Sequence, residues 1–171
     1  MKNLYKWVLA AGLFIAFSIA QAASFTDTLE NLLGDVFLRG QAFSESSPVS
    51  HHVSLHTTSC TDSVPGTEVS GGSYARVPVT RSLASWTGSH GTTTGVSTGN
   101  NGTFSNAAAI TFPAPTADWT PITQITSFAL NDAAIGGNQL VCTDLTTPKT
   151  VNSGDAAPSF GVGALTIQID N

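Results

Sequence analysis

Hydrophobic spacing along the chain changes period twice. From Trp7 to Ile19 the chain is mostly apolar and carries no charge. From Phe25 to Arg39, Leu29, Leu32, Leu33, Val36 and Phe37 recur at the spacing of one helix face, which predicts a helix over 25–39. Ser24 or Thr26 can cap its start, Asp27 and Glu30 suit its positive end, and Gly40 can stop it. Gly34 inside this helix costs about 1 kcal/mol relative to alanine, which the apolar stripe must offset.

From Val49 onward the period is two. In "HHVSLHTT", Val53 and Leu55 face one side, and His52, Ser54 and His56 face the other. Ser59–Gly72 reads as a loop by its Gly, Pro and Ser content. Ser73–Thr80 reads as a strand that Pro78 confines to a sheet edge or a bulge. "NAAAITF", "TPITQITSFAL", "LVCTDLTT" and "GALTIQID" add further strands, and Gly136-Gly137 suits a tight hairpin turn. The expected fold is mainly β: a single antiparallel β-sandwich of about seven strands with one short N-terminal amphipathic helix.

The apolar run changes the picture of the N-terminus. Lys2 and Lys6 precede it, and Ala20-Gln21-Ala22 follows it with the small-residue spacing of a signal-peptidase site. This predicts a signal peptide over 1–22, cleavage between Ala22 and Ala23, and one sandwich domain over 23–171. The run falls short of the about 20 residues of a membrane span, and no membrane span is expected in the mature chain. An exported location follows, periplasmic or extracellular.

Charge narrows the partners. The chain carries −5 at pH 7, and only 10% of its residues are charged. Without Lys2 and Lys6, four basic residues remain against eleven acidic ones, a balance of −7. Arg39, Arg76, Arg81 and Lys149 are scattered, so no groove can track a phosphate backbone and no nucleic-acid partner is expected. Two cysteines, Cys60 and Cys142, are an even count in an exported chain, which favours a disulfide over two buried thiols. It closes a loop of about 80 residues, for which chain entropy gives on the order of 4 kcal/mol.

Catalytic signals are thin. "GVSTG", Gly95–Gly99, has the G-x-S-x-G spacing of a nucleophile elbow, but neither a buried strand before Ser97 nor a helix after it is predicted. His52 and His56 share a strand face yet stand four residues apart, too far for one ion without a bend, and His51 or His90 joins them only if the fold allows it. No catalytic, cofactor-binding or metal-ligating residue is assigned. Trp86, Trp119 and Tyr74 could line a face for cell-surface carbohydrate, though core or rim positions suit them better. "NGT" at Asn101 fits a glycosylation acceptor. The Gly/Thr/Asn-rich stretch from Ser89 to Asn101, with Ser89, His90, Asn100 and Asn101, is the candidate recognition loop, because loops carry binding on a rigid scaffold.

The order of "SFTDTLENLLGDVFLRG", "VSLHTT", "EVSGGSYARVPVT", "NAAAITFPAPTADWTPITQITSFAL" and "LTTPKTVNSGDAAPSFGVGALTIQID" resembles small virion proteins of tailed bacteriophages, the tail-fibre-like or minor structural proteins. The resemblance covers nearly all of Ser24–Asp170. It implies a non-enzymatic β-sandwich subunit of a virion, with no catalytic residues and no cofactor. It also implies scaffold roles for His56, Gly71, Gly72, Tyr74 and Arg76. The leader and the cysteine pair are additions to the family pattern, and both point to an oxidising compartment. Two functions result: a structural subunit of a virion, or a secreted bacterial adhesin or extracellular filament subunit that assembles by strand addition. In both, the partners are further copies or other structural subunits. The segment Ala42–Ser50 between helix and first strand is either a plain connector or an arm for such assembly.

Overall fold

The alternation at Ser50–His56 and at Ile125–Asn131 produces two neighbouring strands of a five-stranded sheet. The structure, a computed structural model, describes residues 16–17, 24–43, 49–98, 102–120 and 123–169. In chain order the elements are β1 (Ala16–Phe17), β2 (Ser24–Phe25), α1 (Asp27–Arg39), β3 (Ser50–His56), β4 (Val77–Thr80), β5 (Trp86–Thr87), β6 (Thr103–Asn106), β7 (Ile110–Thr111), β8 (Ile125–Asn131), β9 (Gln139–Lys149), β10 (Ser159–Phe160) and β11 (Thr166–Gln168). The large sheet runs β2-β9-β8-β3-β4, and two smaller sheets run β11-β6-β5 and β1-β10-β7. Most pairings are antiparallel; β1 joins β10 in parallel.

The fold is mainly β and sandwich-like. Register places Val53 beside Leu130 and Leu55 beside Phe128, and Leu130 beside Val141, so these side chains share one face. The small sheets pack on that face. The Phe160 ring lies 5.3 Å from Phe128, and Phe112 lies 6.3 Å from Phe160. One cluster joins Val53, Leu55, Phe128, Ile110, Phe160 and Ile167 from all three sheets. Pro78 sits on edge strand β4, where its missing N–H costs no central ladder bond.

Several boundaries differ from expectation for local reasons. The helix starts at Asp27, because Phe25 is still extended against Val141. Thr26 is its N-cap by position, but its hydroxyl turns to the carbonyls of Gln139 and Leu140 at 2.6 and 3.0 Å instead of capping. Gly40 ends the helix in the left-handed region at φ 64°, as its type allows. Leu29 and Leu32 carry the helix into the core, while Phe37 is 88% exposed. The strand expected over 73–80 begins only at Val77, since Gly71, Gly72 and Ser73 all take positive φ and reverse the chain. "NAAAITF" contributes only Ile110–Thr111 to β7, because the Asn106 amide bends the chain back by donating to the Ala108 carbonyl at 2.7 Å. Gly136 and Gly137 are left-handed, but the turn spans Asp132–Asn138 and is held by the Asp132 carboxylate on the Asn138 amides. It is therefore not a two-residue hairpin.

The candidate cleavage residues Ala20, Ala22 and Ala23 lie outside the described residues, as do Asn100 and Asn101. Ala16–Phe17, inside the predicted leader, form β1 against Ser159–Phe160. Among the described residues, no helix is long and apolar enough to cross a membrane.

Candidate functional site

The second face of the large sheet has the predicted polar residues but not the solvent. Ser54 and Ser127 are fully buried, and His56 and Asn131 are 3% exposed. The segment after β3 folds back over them. The Ser127 hydroxyl donates to the Thr58 carbonyl at 2.9 Å, the His56 ring meets the Gly66 carbonyl at 2.9 Å, and a disulfide joins Cys60 to Cys142 on β9. Main-chain bonds Val69 N–Leu55 O and Thr57 N–Thr67 O complete the attachment. Buried polar groups need partners, and this layer supplies them in a fixed order. The Gly66 carbonyl can only accept, so His56 carries its proton on Nδ1 and accepts at Nε2. Ser54 donates to that nitrogen at 2.8 Å, and the Asn131 amide donates to Ser54 at 2.8 Å and to the His52 carbonyl at 3.0 Å. Burial, the largest influence, holds the His56 pKa below its ordinary value. A serine–histidine pair of this geometry resembles half of a nucleophilic triad, but no substrate reaches a serine with zero exposure. Its chemistry is structural.

Beside it lies a charged cluster. The Arg76 guanidinium grips Glu68 with two bonds of 2.8 and 2.7 Å, and donates to the Ala133 and Gly136 carbonyls at 2.7 and 2.8 Å. The Tyr74 hydroxyl donates to Glu68 at 3.0 Å and accepts from the Leu55 amide at 2.9 Å. Burial pushes the Tyr74 phenol far above its ordinary range. For Glu68, burial acts upward, but hydrogen bonding and charge from Arg76, with help from Tyr74, leave its pKa lowered. These residues line a cavity of about 450 Å³ that also includes Ser70 and the exposed Ile135. Their polar atoms face one another, which agrees with scaffold roles for Tyr74, Arg76, Gly71 and Gly72.

The remaining candidate residues are dispersed. Ser97 accepts a bond from the Ser89 amide at 3.1 Å and closes a turn in which His90 meets the Thr94 carbonyl at 3.0 Å. Bends lead into Ser97 where a nucleophile elbow needs a strand, and the next described element after it is strand β6, where the elbow needs a helix. The described part of the loop, Ser89–Thr98, is mostly exposed beyond Ser89. Among the described residues, no three His, Cys, Asp or Glu side chains converge as a metal site requires. Trp119 is buried, crosses Tyr74 edge-on at 5.3 Å and donates to the Gly72 carbonyl at 2.7 Å. Trp86 instead walls an apolar cleft of about 280 Å³ with Phe104, Ile167, Leu130 and Val141, at the mouth of the two layers. The three aromatic residues thus do not form one sugar-binding face.

Polar side chains used up inside the fold, aromatic side chains in the core, and exposed loops define a mainly β sandwich-like scaffold. Residues 24–168 match the family model described as podophage GP4 fiber I protein gp80, and the chain belongs to that family. No curated protein matches it.

Proposed function

We propose that the protein is a non-enzymatic structural subunit of a podophage fibre, acting through assembly and surface contact. The family match across 24–168 is the observation that carries this reading. The serine–histidine pair Ser54–His56, sealed inside the protein, supports it further. The partners are other virion subunits or further copies, and the loop Ser89–Asn101 is the contact surface toward a host, with surface carbohydrate as its candidate ligand. The test is mass spectrometry of gradient-purified particles. The subunit should be present in a fixed ratio to other virion proteins; its absence from particles rejects the reading.

A second reading has its own support. The Cys60–Cys142 disulfide persists in an oxidising compartment, and the leader pattern provides the route there. On this reading the same fold is exported as an adhesin or filament subunit. Intact mass of the non-reduced protein from medium and envelope discriminates the two. A chain beginning at Ala23, found without particles, favours export.

A further inference from the structure

Strand β10 sits between β7 and β1 in its sheet. It runs antiparallel to β7 and parallel to β1, with Ala16 opposite Ser159 and Phe17 opposite Phe160. The Phe160 side chain is fully buried on Phe112 and Phe128, so this edge borders the core. Of the two neighbours of β10, only β7 lies in the residues that match the fibre family. The other, β1, belongs to the uncharged run Trp7–Ile19, ahead of the site at Ala22 where the sequence marks the leader for removal. The fold thus borrows a strand from a segment with the signature of one to be discarded.

We propose that the β1 side of β10 is a strand-acceptor edge, capped by the leader in the unprocessed chain and taken by an extended, uncharged apolar strand of a neighbouring structural subunit after cleavage. This rests on the reading in which the leader is cleaved on export. Removing residues 1–22 takes β1 away and leaves main-chain donors and acceptors along β10 facing solvent, a template for another strand. Main-chain hydrogen bonds carry the affinity of such additions, so the occupant is defined by extended shape and lack of charge more than by one side chain. The cis occupant, Ala16–Phe17, lies in a sequence of that chemistry: Gly12–Ala20, "GLFIAFSIA", has no ionisable side chain. It also fixes direction, since the incoming strand runs parallel to β10. A strand tethered in the same chain has a high effective concentration and excludes free competitors. The leader then acts as a plug that delays assembly until processing.

The test uses the full chain in two forms, native and an Ala16→Pro/Phe17→Pro double variant, which removes both strand N–H groups. A fluorescein-labelled Gly12–Ala20 peptide is titrated against each and followed by anisotropy. The double variant should bind it at least tenfold more tightly than the native chain. A peptide carrying the same two prolines should not bind. Hydrogen exchange across 156–163 should quicken in the variant and slow again with peptide. Equal binding to both chains overturns the acceptor edge, as does no binding to a variant with native circular dichroism. Failure of the variant to fold also overturns it, because β1 would then be integral and not a removable plug. Intact mass of the protein from envelope and particles tests processing separately. A retained Met1 sinks the cleavage step, while the peptide titration still decides the edge.

Discussion

Ser54 donates its hydroxyl proton to Nε2 of His56 across 2.8 Å, and both side chains are sealed beneath the segment that follows them. The pair shows how a strand with an apolar and a polar face becomes buried on both. The polar face is covered by chain instead of water, and for Ser54, His56, Ser127 and Asn131 hydrogen bonds within the protein replace those to water.

Acid should loosen this layer. The folded pKa of His56 lies below its unfolded value of 6.5, so the unfolded chain binds more protons between the two. The stabilising contribution is complete above 6.5 and is lost as pH falls through the folded pKa. His52 is also lowered, chiefly by burial and then by Arg76, and acts in the same direction. We predict that thermal stability declines from about pH 7 to pH 5, and less so in His56→Gln. Parallel profiles for the two proteins would exclude His56 as a source.

The disulfide should matter for stability and for the cover. It links residues separated by 82 positions, for which chain entropy gives about 4 kcal/mol. Cys60→Ser/Cys142→Ser should lose roughly 2–4 kcal/mol in denaturant unfolding. Hydrogen exchange should quicken first across 57–69, where the bond fastens the chain. Uniform exchange changes would contradict that local role.

The Glu68–Arg76 pair holds two distant turns. Their side chains are 28% and 11% exposed, and Arg76 also grips the carbonyls of Ala133 and Gly136. Glu68→Ala leaves a largely buried guanidinium short of its anion and should cost roughly 2–3 kcal/mol. Glu68→Gln keeps acceptor capacity and should cost about half as much. A loss below measurement in both would show that water replaces the carboxylate.

Two glycines should respond with opposite sign. Gly72 has φ +56°, and an added Cβ would meet Trp119 Cδ1 at 2.7 Å and the Ala117 carbonyl oxygen at 2.8 Å. Gly72→Ala should cost roughly 2–4 kcal/mol from strain and overpacking together. Gly34 is helical with nothing within 4 Å of such a carbon, so Gly34→Ala should gain up to about 1 kcal/mol. Calorimetry of both variants checks the contrast.

The loop from Ser89 should separate binding from folding. Val96 at its tip is 81% exposed. Replacing Gly91–Val96 with a flexible glycine–serine stretch should change stability by no more than about 1 kcal/mol. It should also abolish adsorption of particles to host cells, if this loop is the recognition surface. Unchanged adsorption would move that surface elsewhere.

Much of this architecture was legible in sequence because it depends on local pattern. Val53 and Leu55 alternate with Ser54 and His56, Gly40 follows a helical stripe, and Pro78 marks an edge strand. The cysteine pair was legible from its even count and the leader-like pattern before it. What was not legible depends on distant partners. Nothing near His56 says that Gly66 will cover it, and nothing near Thr26 says that its hydroxyl will serve Gln139 and Leu140 instead of the helix. Two-residue strands such as Ile110–Thr111 and Ser159–Phe160 are too short to display a period, and tertiary pairing alone defines them. The scaffold roles of Tyr74 and Arg76 came from family resemblance, and their bonds to Glu68 supply the physical cause.

Under tension, the Cys60–Cys142 bond would give this fold a covalent bypass for load. Force applied at the chain ends passes through that bond and around residues 61–141, which it encloses. Their fully extended length, roughly 280 Å, is withheld from any stretching event. Only the outer segments can pay out, so a subunit that yields under a pull does so by a bounded amount and keeps β4 to β8 on its unstretched side.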